Sequence, residues 1–189
     1  MSEPPAPAQI LAVCTGNICR SPAVERLLAA RLAGTDVQVS SAGTRAVVGH
    51  AVSAPMIPLV AAAGAETDGF AARQLTADLI READLVIALT RTHRSEIVEL
   101  VPGAVRRTFT LLELARLVAH VDPQALHDAG ATPGARVRAL PALAAGVRHV
   151  AGSGPTDVAD PIGGSDAVYR ASYDELAPAV DTLASALLH

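Results

Sequence analysis

Apolar residues in this chain alternate between short continuous runs and longer stretches where they recur at helical spacing. Gln9 to Val13 is a run of the first kind, followed by a Gly-containing turn and then by Ser21-Pro22, a good helix cap with proline at the first helical position. Val24, Leu27, Leu28 and Leu32 then repeat at helical intervals until Gly34, a natural stop. Val37 to Ser40 reads as a second strand, Ser41-Ala42-Gly43-Thr44 as the opening of a loop, and Pro55 to Ala63 as a helix. Asp84 to Leu89 is nearly continuous in apolar residues, the pattern of a strand buried on both faces. Thr92 to Leu100 has helical character, Val105 to Phe109 makes a fourth strand, and Leu111 to Ala119 returns to helix. Strands alternating with helices predict an open α/β fold, with four parallel strands covered by helices.

Beyond this point the alternation weakens. Between His120 and Val158, Pro123, Gly130, Pro133, Gly134, Pro141, Gly146, Gly152, Gly154 and Pro155 interrupt short helical stretches, so residues 120–158 read as an insertion or lid. The last element spans about Ser165 to Leu188, with Val168, Leu176, Val180, Leu183 and Leu187 on one side and Pro178 expected to kink it or split it in two. Residues 1–7 read as a disordered lead-in. The chain has 189 residues, half of them apolar, which predicts one domain over 1–189 with a sizeable core.

Charge and composition narrow the functional classes. Net charge is −4 and the arginines are spread along the chain, so neither nucleic acid nor a membrane is an expected partner. All 15 basic residues are Arg, which removes Schiff-base chemistry and lysine-dependent phosphate loops. The N-terminus lacks the basic start and apolar stretch of a signal peptide, and no apolar run is long enough to span a bilayer. A cytoplasmic location is the expectation. The six His residues show no metal-ligand spacing, so they read as packed or solvated and neither a metal nor another cofactor is expected. Cys14 and Cys19 are the only cysteines, too close in sequence to staple a fold, and their reactivity is the better reason for their presence.

The chemistry concentrates in the loop Cys14-Thr15-Gly16-Asn17-Ile18-Cys19-Arg20-Ser21. A thiol at the carboxyl end of a strand, followed by a helix start, sits where successive backbone N–H groups and the positive helix end converge on an oxyanion. Gly16 permits close backbone approach, and the Arg20 guanidinium can hold two phosphate oxygens in a fork. The same field favours a thiolate at Cys14, able to attack phosphorus. A bare Cys-x5-Arg spacing is weak; the strand before it and the helix start after it make the functional reading the better one.

The extended string Val13 to Pro22 strongly resembles the signature of the low-molecular-weight protein tyrosine phosphatases. Ser41-Ala42-Gly43-Thr44 looks like that family's substrate loop, Ala72-Arg73-Gln74-Leu75 like its middle motif, Ala83-Asp84-Leu85-Val86 like its third strand and Asp160-Pro161 like its general-acid motif. The resemblance implies a flavodoxin-like fold and hydrolysis of phosphate monoesters through a phosphocysteine, as in the bacterial members. Cys14 would be the nucleophile, Arg20 the phosphoryl ligand and Asp160 the general acid. Thr15, Gly16, Asn17, Ile18, Cys19, Arg20 and Ser21 would cradle the phosphate of a phosphotyrosine-containing protein or other aryl phosphate, with the Ser21 hydroxyl bonded to the departing thiolate.

Three positions depart from the family pattern. Ala46-Val47-Val48 stands where an aromatic residue often flanks the substrate ring, Ile162-Gly163-Gly164 where animal members carry two tyrosines, and Phe70 where a His often precedes the middle motif. The alternatives are a protein arginine phosphatase, which resembles this chain in Asp160-Pro161 and Gly163-Gly164 but usually places Thr where Ile18 stands, and a catalytically silent phosphate-binding module. Arsenate reductases of this type need a further cysteine that the chain lacks. Cys19 is a redox candidate, able to close a protective disulfide with Cys14, or a residue packed beneath the loop. Tyr169 and Tyr173 read as packing residues.

Overall fold

A computed structural model describes residues 6–189. The strand β1 (Ala8–Cys14) is buried along almost its whole length because it has a parallel neighbour on each side. These are β2 (Val37–Gly43) and β3 (Leu85–Ala88), and β4 (Thr108–Thr110) joins beyond β3, giving the order β2-β1-β3-β4. Side chains alternate across this sheet as the period of a strand requires. Ile10, Ala12, Leu85 and Ile87 enter one core, while Leu11, Val13, Val86 and Ala88 enter the other. The sheet is therefore the middle of three layers. The expected flavodoxin-like architecture is the observed one.

The larger face carries α1 (Arg20–Arg31), α5 (Leu111–Val118) and α8 (Asp166–Leu188), whose Leu27, Leu28, Leu114, Leu176, Val180 and Leu183 close over the strands. The smaller face is covered by Ile80 of α3 (Ala77–Glu82) and Ile97 of α4 (Arg91–Leu100). A short helix α2 (Ile57–Ala62) lies in the connection after β2, where a helix is expected. Thr76, Thr90 and Thr110 cap α3, α4 and α5, each accepting an N–H of the first turn.

Several local expectations are corrected. Ser41 to Gly43 continue β2, so the loop opens at Thr44. The fourth strand is shorter than Val105 to Phe109, because Pro102–Arg107 winds into a 3₁₀ turn first. Helix α8 is unbroken at Pro178; the missing N–H costs one hydrogen bond, which burial of Leu176, Val180, Leu183 and Leu187 on α1 and α5 outweighs. Val168, assigned to the inner side, is exposed.

Residues 120–158 hold two helices, α6 (Pro123–Ala129) and α7 (Pro133–Gly146). Val137, Leu140 and Ala144 of α7 are buried in the larger core, and α7 touches β1, β2 and β3. Its start is anchored by Asp36, which accepts from Thr132 Oγ1 at 2.6 Å and from Gly134 N at 2.8 Å. The segment thus supplies core rather than hanging over the site. Of the lead-in 1–7, residues 1–5 lie outside the described residues; Ala6 and Pro7 are exposed and irregular.

The position of α7 gives the first prediction. Leu140→Ala removes a fully buried side chain and should lower stability by about 2–5 kcal/mol, measured by urea unfolding of the whole chain. Unchanged stability would contradict a structural role for α7.

Candidate active site

Strand β1 ends at Cys14 and α1 begins at Arg20, so the intervening loop sits at the carboxyl edge of the central strands. Its conformation is fixed from outside. Cys14 O, Thr15 O and Gly16 O accept from Thr44 N, Arg45 N and Val47 N, each at 2.9 Å, and Ile18 O accepts from Ser53 N at 2.7 Å. With the carbonyls held outward, the N–H groups of Thr15 to Cys19 have no acceptor among the described residues. That arrangement is a nest for an oxyanion.

Asn17 is the hub beneath this loop. It has φ 55°, a left-handed conformation that Asn tolerates better than most residues, and it is fully buried. Its amide donates to Ser21 Oγ at 2.9 Å and to Ser41 Oγ at 2.8 Å, and its carbonyl accepts from Arg73 N at 2.9 Å. Ser41 in turn donates to Glu25 Oε2 at 2.6 Å. Burial pushes the Glu25 carboxyl above its ordinary range, against the lowering by Ser41 and by the Arg26 and Arg73 charges.

Ser21 does not cap α1. The helix starts a residue earlier, with no side-chain cap at Cys19, and the Ser21 hydroxyl sits 2.9 Å from Cys14 Sγ. Since Ser21 Oγ already accepts from Asn17, its proton is available to the sulfur. A conventional cap would have consumed the N–H groups that the open helix end offers to an anion.

Arg20 is almost wholly buried. It donates to Val158 O at 3.1 Å and pairs with Asp160 at 2.5 Å, while its Nε has no partner among the described residues. Asp160 is placed by its approach: Val158 N donates to Leu89 O at 2.9 Å, and Ala159 is held by Glu175 and Ser172 of α8 at 2.9 and 2.8 Å. A cavity of about 210 Å³ opens over Cys14, with Ile18, Val47 and Ile162 as aliphatic walls and Arg45 and Asp160 at its rim. Among the described residues no aromatic side chain lines it. Cys14, Arg20, Ser21 and Asp160, all singled out in the sequence, are thus brought together.

One member of the site, His93, was not singled out in the sequence, and others singled out there find their partners here. His93, at the start of α4, is buried, with Nε2 2.9 Å from Thr15 Oγ1 and Nδ1 2.9 Å from Thr90 Oγ1. Burial, then the Arg20 charge, lower its pKa to about 4. Its only sequence signal is a Thr-x-x-His helix start. Cys19 Sγ donates to Tyr169 OH at 3.7 Å, and Tyr169 OH lies 2.9 Å from Ser53 Oγ. Burial raises the Cys19 thiol above its ordinary value. Arg73 and Gln74 of the middle motif are clamps: Arg73 holds Asn17, and Gln74 Oε1 accepts from Ala46 N at 3.1 Å. Where a His is often found, Phe70 lies under the Arg26 guanidinium at 5.4 Å. Among the described residues no three His, Cys, Asp or Glu side chains converge as a metal site.

A parallel sheet with a thiol in an N–H nest at the carboxyl end of its first strand, backed by a buried arginine, defines an α/β protein with a cysteine-centred anion nest. A family model described as low molecular weight phosphotyrosine protein phosphatase matches residues 9–129, and the chain belongs to that family. It is 44% identical over 93 residues to the low molecular weight protein-tyrosine-phosphatase Etp of Escherichia coli (strain K12), a match covering 49% of this chain and 62% of Etp. It is 34% identical over 182 residues to a protein-arginine-phosphatase of Geobacillus stearothermophilus, covering 96% of this chain and 97% of the relative. The crystal structure of the Erwinia amylovora tyrosine phosphatase AmsI superposes with a TM-score of 0.68 at 25% identity, covering 98% of this chain and 97% of that one. The YwlE arginine phosphatase from Geobacillus stearothermophilus gives 0.66 at 34% identity, covering 95% and 92%.

Two predictions follow from this geometry. A Cβ on Gly43 would stand 2.4 Å from Thr15 O, a backbone atom that cannot yield without moving the loop. Gly43→Ala should therefore weaken oxyanion binding at least ~10-fold, equivalent to about 1.4 kcal/mol, while the far-UV spectrum is retained; titration with inorganic phosphate checks this. His93 stays neutral in the fold down to about pH 4, whereas an unfolded His titrates near pH 6.5. The unfolded chain takes up the proton first, so this contribution to stability is full above about pH 6.5 and is lost as pH falls through about 4, on the order of 3 kcal/mol in all. Comparing urea unfolding of the parent and His93→Gln across that range isolates the loss.

Proposed function

We propose that the chain is a bacterial, cytoplasmic protein tyrosine phosphatase that hydrolyses phosphate monoesters through a phosphocysteine. The observation that carries this reading is the Cys14 thiol, hydrogen-bonded to Ser21 at 2.9 Å, in a loop whose N–H groups and whose Arg20 Nε have no partner among the described residues. The substrate phosphoryl group takes the nest, and Arg20 turns its free N–H groups to the oxygens. The Cys14 thiolate attacks phosphorus as the ester bond breaks, and Asp160 gives its proton to the leaving oxygen. Water then attacks the phosphocysteine, Asp160 takes its proton, and the thiolate departs onto the Ser21 hydroxyl. Thr15, Gly16, Asn17, Ile18 and Cys19 contribute the backbone of the cradle. The cytoplasmic assignment is supported by two free cysteines, and the bacterial one by the bacterial relatives.

The Arg20–Asp160 pair bears on the first step. An incoming phosphate competes with the Asp160 carboxylate for the same guanidinium, so binding frees Asp160 to take up a proton from solvent and to carry it to the leaving group. Cys19, held by Tyr169, is the candidate that would resolve a Cys14 sulfenic acid as a disulfide. If Cys19→Ser recovers from peroxide as fully as the parent after dithiol treatment, Cys19 is a packing residue only.

Protein arginine phosphatase is the second reading, favoured by the likeness along nearly the whole chain to the Geobacillus relative. Against it stands Ile18, a bulky wall of the cavity. A panel of phosphorylated Tyr, Ser and Arg compounds separates the two, and release of no phenol from an aryl phosphate would leave a silent phosphate-binding module.

Two variants test the mechanism. Cys14→Ser should abolish steady-state turnover while inorganic phosphate still binds, because the nest and Arg20 remain; substantial turnover would overturn the covalent route. Asp160→Asn should slow phosphorylation of Cys14 by phenyl phosphate about 10²–10⁴-fold and by p-nitrophenyl phosphate much less, since that leaving group departs without a proton. Rapid single-turnover kinetics measure this step, and equal slowing for both esters would remove Asp160 from the acid role.

A further inference from the structure

The site contains a hydrogen-bond chain whose direction can be worked out. Thr90 caps α4, and its hydroxyl oxygen accepts from His93 N at 3.2 Å. Its single proton then has one acceptor within reach among the described residues, His93 Nδ1 at 2.9 Å. The opposite tautomer would direct an N–H at an oxygen already serving as a cap and leave the Thr90 proton without an acceptor. These contacts favour the tautomer protonated on Nε2, whose N–H donates to Thr15 Oγ1 at 2.9 Å. The Thr15 hydroxyl has no other protein partner among the described residues, and Thr15 lines the cavity over Cys14. Having accepted from the ring, it keeps its one proton to give onward into the cavity.

We propose that His93 is a positioning residue that fixes the Thr15 hydroxyl as a hydrogen-bond donor into the cavity, aimed at an oxygen of the bound phosphoryl group. This rests on the reading of the cavity as a phosphoryl site. A freely rotating threonine hydroxyl beside an anion loses entropy on donating and can present its lone pairs instead; the ring removes that option before substrate arrives. The surroundings keep the ring in its neutral, directional form. Arg20 and Arg45 face it with positive charge, Glu96 and Asp160 with negative, and its burial disfavours the imidazolium. An imidazolium would donate from both nitrogens and turn the Thr90 proton away, so the chain would lose its one direction.

The tautomer can be read in the full chain from the ring ¹⁵N shifts of His93, with Nε2 expected to carry the proton and Nδ1 to be bare. Activity and oxyanion affinity form the second arm, with p-nitrophenyl phosphate as substrate and orthovanadate as the bound anion. Thr15→Val and His93→Leu should each lower kcat/KM and vanadate affinity about 10-fold, the size of one hydrogen bond to a charged group. The double variant should be no worse than either single one, because both remove the same donor. His93→Gln, whose amide can donate from the Nε2 position, should retain most of the affinity. A proton on Nδ1, or additive losses in the double variant, would overturn the proposal. So would Thr15→Val, a change that leaves the buried ring in place, binding vanadate as tightly as the parent. Absence of turnover by the unmodified protein would instead strike the phosphatase reading, leaving the ¹⁵N and vanadate arms to decide this one.

Discussion

The site depends on one constraint, that the backbone carbonyls after Cys14 face away from the cavity. A peptide unit that turns its C=O outward turns its N–H inward, so the outward bonds from Thr44, Arg45, Val47 and Ser53 are what make the anion nest. They are inter-segment bonds, supplied by the stretch that follows β2. The parallel register Cys14↔Gly43 brings the two strand ends level, so the chain leaving β2 runs directly beside the chain leaving β1. Gly43 is the contact point. Any side chain there would strike Thr15 O, and the two loops could not lie side by side.

Asn17 holds the same conformation from below. Its left-handed backbone bends the loop, and its side chain satisfies three neighbours at once: Ser21, Ser41 and the Arg73 backbone. Behind it lies Glu25, whose burial is costly and is offset by Ser41 and by the Arg26 and Arg73 charges. With Phe70 where a His is often found, Arg26 covers that ring and lies 3.6 Å from Glu25, supplying a cation from the helix itself. Asn17, Ser21 and Ser41 each have partners, and a satisfied buried network of this kind stiffens the loop.

Charge is arranged with equal economy. Arg20 is deeply buried and would be unstable there alone; Asp160 and the Val158 carbonyl compensate it. The same two contacts tie the segment carrying Asp160 to the loop after Cys14, so Asp160 and the nest are placed by one side chain. The aliphatic walls Ile18, Val47 and Ile162 offer apolar area without an aromatic face to stack on. Shape and charge at the floor, rather than ring recognition at the rim, therefore dominate what the cavity can hold.

Unlike α3, the order of the four strands, the helices after β1, β3 and β4, and the thiol and arginine in one loop were legible in the sequence. Each is set by residues within a few positions of one another, and local periodicity and spacing report such relations directly. The motif containing Asp160 was legible only through family resemblance. Helix α7 escaped because Pro141 and its many Ala and Gly residues leave little apolar periodicity, although close packing of small side chains on the sheet is what buries it. What the fold alone decided were the partners: His93 with Thr15, Tyr169 with Cys19, Glu25 with Ser41, and Asp160 with Arg20. A polar side chain gains a hydrogen bond only where topology delivers a matching atom within about 3 Å. A linear pattern carries no record of which distant segment will arrive there.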